Sequence, residues 1–279
     1  MKGRISFKMI IVLALGYAFL FGPILILIIY SFNASKLVTV WGGFSLKWYV
    51  ELLKDKGILD AFWNSLRIAF CTAWFATALG TVAGYVMARF GRFRGHTTFA
   101  STITAPLVMP EVITGLASLL LFVSMERIIG WPQGRGMLTI WIAHVTFATA
   151  FVAIIVSSRL RDMDLSIEEA ALDLGAPPLK VFFVITLPII APALVSGWLL
   201  AFTLSLDDLV ITSFVAGPGS TTLPMKVFSA ARLGISPKIN AIGTLIVLIA
   251  SFFIVSFSII SFKMEKKRKL EAEQAFENN

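Results

Sequence analysis

The stretch Asp162-Met-Asp-Leu-Ser-Ile-Glu-Glu-Ala-Ala-Leu-Asp-Leu-Gly-Ala-Pro-Pro-Leu-Lys-Val-Phe-Phe-Val-Ile-Thr-Leu-Pro188 is a polar interruption between two long apolar segments. Ser166, followed three residues later by Glu169, predicts a capping box, and Glu168 and Glu169 suit the positive end of a helix. Gly175 stands where that helix should stop, and Pro177 or Pro178 can open the next one. The expected local structure is a short helix, a sharp turn and a second helix that runs into the apolar segment near Pro188. Ala170 and Ala171 are small enough to let a partner's backbone approach closely.

Around this stretch the chain is 57% hydrophobic and 14% charged over 279 residues, with a mean hydropathy of +0.86. Soluble domains carry about a quarter charged residues, so the apolar excess must face lipid. A bilayer core needs about 20 mostly apolar residues per helix. Six segments qualify: Met9–Phe32, Phe62–Ala88, Thr97–Ser124, Leu138–Ser158, Ile189–Ile211 and Ala241–Phe262. The first is too long for a signal-peptide core and lacks a cleavage site, so it is expected to stay as a helix. The expected fold class is therefore an all-α membrane protein with six transmembrane helices. The expected organisation is a single membrane domain, 1–279, made of a first helix and outer loop (1–61), a core (62–262) and a basic tail (263–279).

The net charge of +8 is distributed as membrane topology requires and gives no reason to expect nucleic acid. Lys2, Arg4 and Lys8, then Arg89, Arg92 and Arg94, then Arg159, Arg161 and Lys180, and finally the tail from Lys263 to Lys269 all fall on one side. The opposite loops are longer and carry fewer cations. Positive-inside counting places both termini in the cytoplasm. Cys71 is the single cysteine; it excludes an internal disulfide and reads as a small buried hydrophobe.

The spacing Glu169-Ala170-Ala171, Gly175, Ile185-x-Leu187-Pro188 resembles the EAA signature of ABC importer permeases, without a gap. The resemblance extends over almost the whole chain and is nearest to the permeases of polyamine importers, in particular putrescine systems. It is carried by Tyr30 to Trp41, Ile103 to Pro110, Gly130-Trp-Pro132, Phe202 to Val210 and Gly217-Pro-Gly219. It implies a type I ABC importer (MetI-like) permease fold in a bacterial inner membrane. It also implies that Glu169, Ala170, Ala171 and Gly175 couple this chain to a cytoplasmic ATPase dimer. Further implied partners are a second homologous permease subunit, forming a heterodimer, and a periplasmic polyamine-binding protein. No cofactor is expected in this chain, because the ATP would be hydrolysed by the partner. Glu111 departs from the pattern, since several relatives carry Asp there.

Acids are rare inside spans because an isolated charge at mid-bilayer costs several kcal/mol. Glu111 lies in the third expected span, and Asp207 and Asp208 lie in the fifth. At ~1.5 Å per residue, Glu111 and Asp207 both stand roughly 21–23 Å from the inner ends of their helices. Pro106 and Pro110 should bend or unwind the third span beside Glu111. These carboxylates are candidates to line a path for a cation, which needs anionic or aromatic partners once it leaves water. The competing reading of Asp207 and Asp208 is that they cap the outer end of a span. Adjacent helix positions point about 100° apart, so at most one of the two can face a narrow pore squarely. Ser205 either adds a hydroxyl to the path or packs helices. Trp48, on the amphipathic stretch Phe44 to Leu53, either anchors at the interface or, as the resemblance implies, contributes to uptake. His144 reads as a helix-packing histidine, and Arg67 as a side chain reaching for the outer surface. The segment Leu223 to Gly234, beyond the Gly217-Pro-Gly219 turn, should form a short outer helix that helps to receive the binding protein.

No His-Glu-x-x-His, Gly-x-Ser-x-Gly or Walker A loop occurs in the sequence, so neither an intramembrane enzyme nor a self-contained ATPase is supported. Another small cation or spermidine would suit the same acids. An ion-coupled carrier is the alternative of a different class, but such carriers often show inverted repeats, and none is visible here.

Overall fold

The computed structural model describes residues 7–37, 40–91, 93–233, 237–248, 251 and 255. In chain order the helices are α1 (Phe7–Ser31), α2 (Lys47–Lys54), α3 (Lys56–Arg89), α4 (His96–Val108), α5 (Glu111–Ile129), α6 (Met137–Arg161) and α7 (Ser166–Asp173). Then come α8 (Pro178–Val181), a π-helical turn (Phe182–Thr186), α9 (Leu187–Asp207), α10 (Val210–Val215), α11 (Leu223–Leu233) and α12 (Pro237–Leu248). Among the described residues, β structure is limited to the isolated bridge between Asn33 and Phe44. Among the described residues, five helices are long and apolar enough to cross a membrane: Lys8–Ser31, Lys56–Arg89, Glu111–Ile129, Met137–Arg161 and Pro178–Asp207. The sixth expected span is represented by α12, and most of it beyond Leu248 lies outside the described residues, as does the basic tail.

Two expected spans differ from simple rods, for backbone reasons. The third is two helices. Met109 (ψ 135°) and Pro110 (ψ 137°) are extended between α4 and α5, because a residue before proline is pushed out of the helical region. Pro106 stays inside α4. The fifth continues from the helix that Pro178 opens, as the sequence predicts, but it stops at Asp207 instead of Ile211. Asp208 is extended, with ψ 127°, and α10 is a separate short helix rather than the end of the span.

The chain forms two compact units, residues 57–228 and residues 1–56 with 229–279. In the first, α6 is the central helix. It packs against α9, α4, α10 and α5, and its Ala148, Val152, Val156 and Leu160 join Ala73 and Ala76 of α3 and Ile190 and Ala201 of α9 in a tight core. A second core links Ile68, Phe122, Ile140, Phe147, Ile211 and Val215. In lipid, helix association comes from close packing rather than exclusion of water, so small residues mark the contacts. Gly80 and Gly84, a G-x-x-x-G pair on α3, show this directly. A Cβ on Gly80 would stand 2.6 Å from the Val152 Cβ, and one on Gly84 would stand 2.7 Å from the Ala153 carbonyl oxygen.

In the second unit, Asn33 organises the segment after α1. It is buried, its Oδ1 accepts from the Ser35 and Gly42 amides at 3.0 and 2.7 Å, and its Nδ2 donates to Val40 O at 2.7 Å. Lys238, on α12, pairs with Glu51 at 3.5 Å and Asp55 at 3.7 Å, and Gly243 of α12 lies against Leu27 of α1.

Candidate functional site

Asp208 is drawn into the protein by the helix that follows it. Its Oδ1 accepts from the Ile211 amide at 3.2 Å, and its Oδ2 accepts from the Thr212 amide at 2.7 Å and the Thr212 hydroxyl at 2.6 Å. These bonds satisfy the free amides at the start of α10. His144, deep in α6, adds a third partner to Oδ2 through Nε2 at 3.1 Å. Its Nδ1 meets Ser205 Oγ at 2.7 Å, and Nε2 also lies 3.0 Å from Thr212 Oγ1. An imidazole with its proton on Nε2 completes the set, with Ser205 donating to Nδ1. The His144 and Asp208 side chains are 2% and 8% exposed. Four residues thus pin α6, α9 and α10 at one point.

Asp207, one residue earlier, is exposed. Glu111 is also exposed, at the first residue of α5, where its charge suits the helix end. One turn on, Gly115 allows α5 to lie against α10, since a Cβ there would meet the Phe214 ring at 2.7 Å and Ile211 Cα at 3.2 Å. Glu111 thus stands one turn before the α5–α10 crossing, while Asp207 closes α9 just ahead of α10.

Trp48 is packed inside the protein and not displayed at its surface as an interfacial anchor would be. It is 4% exposed, and its Nε1 donates to Asn33 O at 2.6 Å. The Lys47 ammonium lies 4.5 Å from the centre of its ring and donates to Ala34 O. Tyr49 meets Ser31 Oγ at 2.6 Å. Cys71 likewise departs from expectation, being exposed on α3 rather than buried, as a lipid-facing position allows.

The polar segment Asp162 to Pro188 folds as a short helix and a turn, but its start differs from the capping-box expectation. The Ser166–Glu169 capping box is absent. α7 begins at Ser166, so the Ser166 side chain is already inside the helix, and the Ser166 amide donates instead to Asp164 Oδ1 at 3.0 Å. That bond holds the Asp164 carboxyl below the usual carboxylate range. At the other end, Gly175 has φ +83°. Its amide donates to Leu172 O at 2.9 Å, and Ala176 N donates to Ala171 O at 3.1 Å, a Schellman stop that needs a left-handed residue. Glu169, Ala170 and Gly175 are exposed. So are Leu165, Ile167, Leu172 and Leu174, the last at 89%. Such an apolar cluster on a polar loop is the mark of a contact surface.

Residues 80–269 match the family described as "Binding-protein-dependent transport system inner membrane component". The chain is 67% identical over 237 residues to the putrescine transport system permease protein PotI of Escherichia coli (strain K12), covering 85% of this chain and 84% of that protein. It is 36% identical to the spermidine/putrescine transport system permease protein PotC of the same strain, covering 88% and 90%. Among solved structures, a bacterial ABC transporter involved in the import of the acidic polysaccharide alginate superposes with a TM-score of 0.66 at 18% identity, covering 90% of this chain and 93% of that one. The MetNI methionine ABC transporter superposes with a TM-score of 0.59 at 17% identity, covering 72% and 92%. These two likenesses speak for the fold alone.

Proposed function

The chain belongs to the inner-membrane components of binding-protein-dependent transport systems, and from that premise we propose that it is half of the translocation path of an ATP-driven putrescine importer. As a permease subunit of a polyamine importer it is not an enzyme, and it resides in the inner membrane. The observation that carries the substrate is the 67% identity to a putrescine permease over most of both chains. The exposed carboxylates of Glu111 and Asp207 support it, since a diamine carries two ammonium groups that need anionic partners along the way. Asp208 supports the path from behind by fixing the α9–α10 break that presents Asp207. Ser205 contributes through the same His144 junction, and Trp48 by holding the segment that follows α1.

The partner set follows from the same premise. A second homologous permease completes the path as a heterodimer, an ATPase dimer drives it from the cytoplasm, and a periplasmic binding protein delivers the polyamine. Both termini are cytoplasmic, six helices span, and residues 1–279 act as one membrane domain in lipid. α7 docks on the ATPase through Glu169, Ala170, Ala171 and Gly175, and the exposed Leu165, Leu172 and Leu174 on and beside it favour this reading because an ATPase groove would cover them. ATP hydrolysis by the purified assembly, measured with the binding protein and a panel of solutes, tests the assignment. Putrescine should stimulate most strongly, with spermidine as the informative comparison given the dual name of the 36% relative. Equal stimulation by unrelated cations would refute it.

A further inference from the structure

Glu168 and Glu169 are neighbours in sequence and opposites in place. Glu169 is exposed, whereas Glu168 is 7% exposed. Its Oε2 lies 2.9 Å from Nε of Arg89, the last residue of α3. Its Oε1 accepts from the Thr186 hydroxyl at 2.7 Å, and Thr186 closes the π-helical turn that leads into α9. One carboxylate therefore ties α7 to the ends of two membrane spans. The Arg89 side chain is only 9% exposed, yet neither its Nε nor its Nη2 makes an aligned hydrogen bond among the described residues. The pair is close in charge without forming the two-pronged bond that arginine and carboxylate make at full strength.

A buried ion pair gives little net stability, because desolvation offsets the attraction; its best attested use is to fix a register or a switch. The other features here suit a switch. The π turn has a widened hydrogen-bond ring, a form that recurs at functional sites. The unaligned guanidinium leaves room for a second arrangement. We propose that Glu168 is the positioning residue through which movement of α7 is passed to α3 and α9, with Arg89 and Thr186 as its two attachments. The inference rests on the reading of α7 as the ATPase-docking helix.

The test uses the assembled transporter with Glu168→Gln and, separately, Thr186→Val. The second removes only the hydroxyl link and leaves the ion pair in place. Both variants should retain the ATPase in wild-type amounts and hydrolyse ATP normally without binding protein. Stimulation by putrescine-loaded binding protein should fall about five-fold or more, the lower range of a typical coupling between sites, and uptake should fall with it. Wild-type stimulation in both variants would overturn the proposal. If Glu168→Gln does not assemble because Arg89 is left uncompensated, Thr186→Val decides alone. Leu174→Cys, in a chain with Cys71→Ser, separates the two readings by cross-linking to the ATPase. No adduct overturns the docking reading and the link with it. An adduct with undiminished stimulation in Thr186→Val overturns the link only.

Discussion

Two adjacent aspartates illustrate how placement divides roles between identical side chains. Asp208 accepts four hydrogen bonds from α6 and α10, while Asp207 is exposed. Removing the acceptor strands buried donors, at about 1–3 kcal/mol, so Asp208→Ala should lower the melting temperature of the purified assembly. Asp207→Asn should leave the melting temperature unchanged and lower putrescine uptake. Glu111→Gln should act in the same way, reducing uptake by about ten-fold, or ~1.4 kcal/mol, at normal protein level; unchanged uptake would remove Glu111 from the path. Sequence alone marks all three acids as unusual. It does not separate 207 from 208, because the separation depends on His144, a residue 64 positions away that only folding brings within 3.1 Å. Glu168 and Glu169 pose the same problem. Both suit a helix start, and the 100° step between them decides which is buried.

Helix ends and crossings follow local backbone chemistry, and here the sequence is more readily read. Pro110 breaks the third span beside Glu111, as its ring dictates, and Gly175 stops α7 in the left-handed conformation expected of it. The start of α7 is less legible: Leu165 takes the cap position, Ser166 falls inside the helix, and Asp164 accepts from the Ser166 amide. Asp164→Ala should therefore speed amide exchange at Ser166, while Ser166→Ala should not. Because the Asp164 carboxyl is held below its usual range, its bond to Ser166 is present above that range and is lost as pH falls through the depressed value. The α3–α6 crossing gives a sharper measurement. Gly84→Ala places a methyl group against the Ala153 carbonyl and should cost about 1–3 kcal/mol through overpacking. Gly16→Ala on α1, with open space around it, should be neutral. Equal melting temperatures for the two would argue against the crossing. The G-x-x-x-G signal at Gly80 and Gly84 was available in the sequence, but it does not identify its partner helix.

For the whole molecule, composition and span length define a membrane protein without further help, and the family match makes it a component of a transport system. Under the proposed function a second subunit supplies half of the path, and the exposed acids and the exposed Leu165, Leu172 and Leu174 on and beside α7 would be covered in that assembly. The energy source distinguishes an ATP-driven importer from an ion-coupled carrier with the same acids. The most direct measurement is putrescine uptake into vesicles containing the chain with its permease partner, ATPase and binding protein, with ATP and an ion gradient supplied separately. Uptake should require ATP and the binding protein and persist after the gradient is collapsed. Uptake that continues without ATP while the gradient stands would contradict ATP-driven import.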